Sequence, residues 1–140
     1  ACVIGFIIGL DREKKGKPVG YPAFIIITTV TCLIAIMGQE LHAQYNDTEH
    51  IAIDVGKIIE GVLAGIGFLG AGAIIKRNGE NVIGTATGAS IWACGGLGLI
   101  LGFGFYMLAI IGFIVIWITL GCLEPLSKRI AGQSNCDRKK

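Results

Sequence analysis

Titratable residues at spacings that could support chemistry occur in three places along the 140-residue chain. The densest is the run Asp11-Arg12-Glu13-Lys14-Lys15-Gly16-Lys17-Pro18, which mixes both signs of charge. Two carboxylates flanking an arginine can form a docking or ion-pair site, so Asp11, Arg12 and Glu13 are the candidate functional charged cluster. The competing reading is a segment that sets topology and binds lipid headgroups, worth ~1 kcal/mol per basic residue near an anionic leaflet. A second group, Asp54, Lys57 and Glu60, has a spacing of three and can form an ion-pair ladder on one helix face or hold a cation. The third is His42 and His50, eight apart among carboxylates, which offer at most a weak metal site and otherwise read as solvated loop residues. Of the five cysteines, Cys2, Cys32, Cys94 and Cys122 lie in apolar runs and Cys136 lies near the end, with no spacing suited to zinc or a redox pair. No Ser/His/Asp or Cys/His set falls in an apolar run, so catalysis is not expected.

The elements that must position these residues follow from where charge is missing. The chain is 53% apolar and 16% charged, and 21 of its 22 charged residues lie in islands, with Glu60 alone inside an apolar run. That excludes a water-soluble globular domain. The 22 glycines follow no three-residue period and come with only 3 prolines, which excludes a collagen-like or disordered chain. Asn81 to Leu123 is an uncharged run of 43 residues, about 64 Å as helix, against a ~30 Å bilayer core, so it crosses twice. Gly102-Phe103-Gly104 is the expected turn. Tyr21 to Gly38 and Ile58 to Ile75 are two further spans. Ala1 to Leu10, apolar but only ~15 Å long as helix, reads as the end of a fifth span whose start precedes this numbering. The expected fold is therefore all-α: a polytopic membrane bundle of five transmembrane helices, the first truncated, over residues 1–123, followed by a short cytoplasmic tail, 124–140.

Loop charge sets the expected orientation. Alternating from an outside N-terminus, Arg12, Lys14, Lys15, Lys17, Lys76, Arg77, Lys128, Arg129, Arg138, Lys139 and Lys140 all fall inside, and only Lys57 falls outside. Basic residues accumulate on the cytoplasmic side, so the net charge of +2 reports topology, and nucleic acid is not an expected partner.

Two glycine stripes share one spacing. Gly61, Gly65 and Gly72 in the third span, and Gly84, Gly88 and Gly95 in the fourth, are each separated by 4 and then 7 residues. In lipid, helices associate through close backbone approach, so both stripes are expected at helix contacts. The third span then packs on the fourth, and Ala64 and Ala71 are left for a twofold partner in a homodimer. A pore lining is the rival reading. Thr28, Thr29, Thr31, Thr85, Thr87 and Ser90 can line a polar path or bond back to the i−4 carbonyl.

At this point the residues carry a resemblance. Ile8-Gly9-Leu10-Asp11-Arg12-Glu13, followed by Lys15-Gly16-Lys17-Pro18-Val19-Gly20, resembles the opening "IGLERE…GK.AG" of the MgtC/SapB family of bacterial inner-membrane proteins. Asp54-Val55-Gly56-Lys57, followed by Gly65-Ile66-Gly67-Phe68-Leu69-Gly70-Ala71-Gly72-Ala73-Ile74-Ile75, resembles its "DP.R…SGIGFLGAGAII". Val82-Ile83-Gly84-Thr85-Ala86-Thr87 with Ile91-Trp92 resembles "VRGLTTAATIW", and Gly102 to Tyr106 resembles "GAGFY". Pro22-Ala23-Phe24 stand where the family usually has Arg-Thr-His, and Ile83 stands in place of an arginine.

The resemblance implies a multi-pass inner-membrane protein tied to magnesium limitation, stress adaptation and, in pathogens, virulence and intracellular survival. It implies a small regulator that binds other membrane proteins, the proton-translocating ATP synthase among them. The alternative is a magnesium or other cation transporter. Longer family members carry an ACT-like domain, and this chain is similar to the short, membrane-only branch. No cofactor is expected on the regulator reading. A magnesium conduit needs several oxygen ligands facing the bundle interior, and the spans offer only Glu60.

Overall fold

The structure is a computed structural model that describes residues 1–17, 19–45, 54–77 and 81–123. Among these, five helices run antiparallel in chain order: α1 (Cys2–Lys14), α2 (Tyr21–Tyr45), α3 (Val55–Gly72), α4 (Thr85–Gly102) and α5 (Tyr106–Ile118), the last ending in a π-turn, Thr119–Leu123. The polytopic helix bundle expected from the apolar runs is the fold. By length and composition α2, α3 and α4 can each cross a bilayer, while α5 is a shorter apolar helix.

The element ends follow local chemistry. The α1 helix ends with Arg12 and Lys14 in its last turn, where cations oppose the negative end of the helix dipole. The α3 helix opens at Asp54, whose carboxylate accepts from Gly56 N at 2.8 Å, an N-cap. The expected break between the last two spans is present: α4 stops at Gly102, and Gly104 takes a φ of +81° before Tyr106 opens α5, a conformation glycine adopts without penalty. Two boundaries differ from the hydropathy reading. The α2 helix continues past Gly38 to Tyr45, because Gln39 to Tyr45 are good helix formers that emerge from the apolar layer. The α3 helix ends at Gly72, and Ile75 belongs instead to a hairpin, β1 (Ile75–Arg77) and β2 (Asn81–Ile83), paired with Ile75 opposite Ile83.

The interior mixes small or hydroxylic residues, with Thr28, Ala35, Thr87, Ser90 and Cys94 all at most 2% exposed, and a buried apolar cluster that includes Ile8, Phe24, Ile91 and Leu97. Large apolar side chains such as Phe68, Met107, Ile111 and Trp117 point outward, as a hydrocarbon solvent permits. Glycine sets the helix spacing. A Cβ at Gly88 would stand 2.6 Å from Gly70 O, and one at Gly5 would stand 2.7 Å from Phe24 O, so α4 meets α3, and α1 meets α2, backbone to backbone.

Candidate functional site

The charged residues of the opening block converge where α1 ends, α2 begins and α5 finishes. Arg12 is wholly buried despite its guanidinium, and its Nη2 donates to Asp11 Oδ2 at 3.1 Å. The same oxygen accepts from Lys15 Nζ at 2.8 Å. Asp11 and Lys15 are one helical turn apart and lie on one face, whereas Arg12 reaches its neighbour only through its long side chain. Lys15 Nζ also donates to Leu120 O at 2.7 Å, which ties the first helix to the π-turn of the last. Glu13 turns the other way, and its Oε2 accepts from Tyr21 N at 3.0 Å. A carboxylate there satisfies one of the free N–H groups at the start of α2 and faces the positive end of its dipole.

Asp11 and Arg12 thus pair with Lys15 beside them, whereas Glu13 is exposed and bonds apart from them at the start of α2. Asp11 is only 26% exposed, and removing such charges from water is tolerated only when they are paired. Sequence reasoning missed Lys15 as a member. Its signal was present in the four-residue step from Asp11, which places the pair on one helix face.

The second group does not assemble. Asp54 caps α3, and Asp54, Lys57 and Glu60 are exposed. Among the described residues no ion pair joins them, so the expected ladder is not formed; the cap holds the aspartate at the backbone. Nor is there a group of three or more potential metal-binding Asp, Glu, His or Cys side chains among the described residues. His42 lies in α2, while His50 lies outside the described residues, as do Cys136 and the tail from 124 to 140.

The interior hydroxyls bond backward along their own helices. Thr28 Oγ1 donates to Phe24 O at 2.7 Å, Thr31 to Ile27 O at 2.9 Å and Ser90 to Ala86 O at 2.6 Å. Thr29 pairs with Cys2 Sγ at 3.1 Å. Thr87 is the exception: its Oγ1 is buried with no hydrogen-bond partner among the described residues.

The two glycine stripes part company. Gly84, Gly88 and Gly95 lie at contacts, against Ala73 O, Gly70 O and Ile66 Cδ1 respectively. In the third span the expected register is corrected: a Cβ at Gly61, Gly65 or Gly72 would meet nothing within 4 Å, and the glycine that meets α4 is Gly70. The buried residues of α3 are Ile66 and Gly70. They lie four apart on a face different from the stripe, and Ile66 fills the space that Gly95 leaves open.

The chain matches the model of the MgtC family over residues 1–129. It is 38% identical to an uncharacterized protein of Haemophilus influenzae over 92% of this chain and 54% of that one. It is 33% identical to protein SapB of Bacillus subtilis over 93% of this chain and 56% of SapB. It is 31% identical to the putative magnesium transporter YhiD of Escherichia coli K12 over 91% of this chain and 59% of YhiD. The chain therefore spans a little over half the length of these relatives. No solved structure matches it. The matched model covers all five helices and the charged cluster, and the chain belongs to the MgtC family.

Proposed function

We propose that this chain is a small, non-enzymatic regulatory membrane protein of the bacterial inner membrane, with its N-terminus outside and its C-terminus inside, that acts by binding other membrane proteins. Its physiological setting is magnesium limitation and stress, or survival inside a host. The observation that carries this reading is the contrast between a closed interior and an open third helix. Apart from Thr87, the interior hydroxyls of Thr28, Thr31 and Ser90 are spent on their own backbones, and α4 is packed directly against α2 and α3, with Gly98 on Thr31 and Gly102 on Cys32. Among the described residues no set of carboxylates lines a route for a hydrated cation between helices so close. By contrast, the outward face of α3 carries Gly61, Ala64, Gly65, Ala71 and Gly72, all exposed, a surface another transmembrane helix can approach closely. A second copy is one such partner and a proton-translocating ATP synthase another. The Asp11–Arg12–Lys15 cluster holds the bundle end that such a partner would meet.

The second reading, a magnesium or other cation transporter, draws on the name of the YhiD relative. Crosslinking in native membranes from the α3 face, followed by identification of the captured proteins, tests the first reading. Magnesium flux into proteoliposomes holding the purified chain tests the second. Reproducible capture without flux supports regulation, and flux without capture overturns it. Orientation is checked separately: a cysteine reporter at Glu40 should label only from outside, and one at Lys14 only from the cytoplasm.

A further inference from the structure

The uncharged part of α3 is shorter than a bilayer. Lys57 and Glu60 are exposed in its first two turns, where a charge at a helix end stays with the headgroups. The uncharged run that follows, Gly61 to Ile75, closes at Lys76. Gly61 to Ala73 is helix and its terminal turn, which gives about 20 Å at ~1.5 Å per residue. Ile74 and Ile75 add at most about 7 Å at ~3.3 Å per residue. With Glu60 at one surface, Ile75 stands at most about 27 Å away, inside the ~30 Å of hydrocarbon, and any tilt brings it nearer. Pairing with Ile83 holds β2 at the same depth, and Gly84 lies against Ala73 O, which fixes the base of the hairpin to the ends of both helices.

The side chains at that depth suit it. Ile74, Ile75, Val82 and Ile83 are 42%, 53%, 56% and 46% exposed. Successive strand residues point to opposite faces, so Val82 and Ile83 put aliphatic surface on both faces of the hairpin. A second copy or another protein covers one face of a two-stranded hairpin, whereas hydrocarbon covers both. A two-stranded sheet also keeps two outer edges of N–H and C=O groups that pair with nothing inside it. Such groups are not tolerated deep in a bilayer, which limits the hairpin to the zone just beneath the headgroups. We propose that the base of the β1–β2 hairpin is embedded in the membrane, with Ile74, Ile75, Val82 and Ile83 among the upper acyl segments of the leaflet it meets. This lipid contact is independent of any partner of α3, and holds whether the chain regulates or transports.

Depth-dependent quenching of tryptophan tests this on the whole chain in proteoliposomes. To a background of Trp92→Phe and Trp117→Phe, either Ile75→Trp or Val82→Trp is added, one on each face of the hairpin. Lipid brominated high on its acyl chains should lower the emission of both about twofold, as for rings at the membrane interface, and more than lipid brominated near the chain ends. Iodide on both sides of the membrane should leave both nearly unchanged. Phe68→Trp, at an exposed α3 position about 12 Å along the helix from Glu60, should respond most to the deep bromines, and Glu40→Trp to iodide alone. If Ile75→Trp fails to fold, Ile83→Trp reports on the same face. Iodide quenching of the hairpin variants to the level of Glu40→Trp would place the hairpin in water and overturn the proposal. Protection of either face from both quenchers would overturn it too, since protein would then cover that face.

Discussion

The third and fourth helices carry the same glycine spacing and have opposite surroundings. In α4 the stripe is closed: Gly88 stands against Gly70 O, Gly95 receives Ile66, and Gly84, at a φ of +97°, sits under Ala73 O. In α3 the stripe of Gly61, Gly65 and Gly72 looks outward onto empty space. Small residues at helical spacing therefore mark a face that can be approached closely, while the identity of what approaches depends on the rest of the fold. The α4 helix is central, between α2 and α3. The α3 helix is peripheral, and its stripe meets nothing within 4 Å among the described residues.

The largest expected effect breaks the closed side. Gly88→Leu drives a side chain into the Gly70 carbonyl, a backbone atom that cannot rotate away. Its cost should exceed the ~1–3 kcal/mol of ordinary overpacking, read as loss of folded protein in detergent and in membranes. A wild-type melt would mean that α3 and α4 can separate without penalty. The next effect carries the contrast from glycines to charges. Arg12→Ala removes a buried cation from its partner, a change that costs ~3–5 kcal/mol when both groups are fully buried. Because Asp11 is 26% exposed and keeps Lys15, the expected loss lies at or below the lower end of that range. Glu60→Gln, on the exposed α3 face, should stay within ~0.5 kcal/mol. Equal melting losses for the two would erase the distinction.

Smaller than the Arg12→Ala effect is that of Glu13→Ala, which strips the α2 N-terminus of its carboxylate and should cost about 1 kcal/mol, visible as a modest fall in melting temperature. The smallest effect on the single chain is that of Gly65→Leu, within ~0.5 kcal/mol because its Cβ meets nothing. Its effect should appear instead in association, as loss of dimer or of partner capture at unchanged monomer stability. A Gly65→Leu chain that associates like wild type would show that partners bind elsewhere.

Much of this was legible in the sequence, for reasons that can be named. The spans follow from uninterrupted apolar length, the turn at Gly104 from paired glycines, and the charged cluster from the expense of leaving Asp11 and Arg12 unpaired beside a bilayer. The outward turn of α3 was not legible, because a spacing of 4 and 7 fixes a face without saying which neighbour it meets. The β1–β2 hairpin was hidden by hydropathy, which runs Ile75 into the preceding span and Val82 into the next.

The bond from Lys15 to Leu120 O joins residues 105 apart in sequence. At a synthesis rate of ~5–20 residues per second the carbonyl arrives on the order of 5–20 s after the lysine. The first helix therefore waits in the membrane, with its ammonium held by Asp11 within its own turn, until the last helix is inserted. Only then is the clasp complete, so a chain interrupted before Leu120 leaves Lys15 with Asp11 alone.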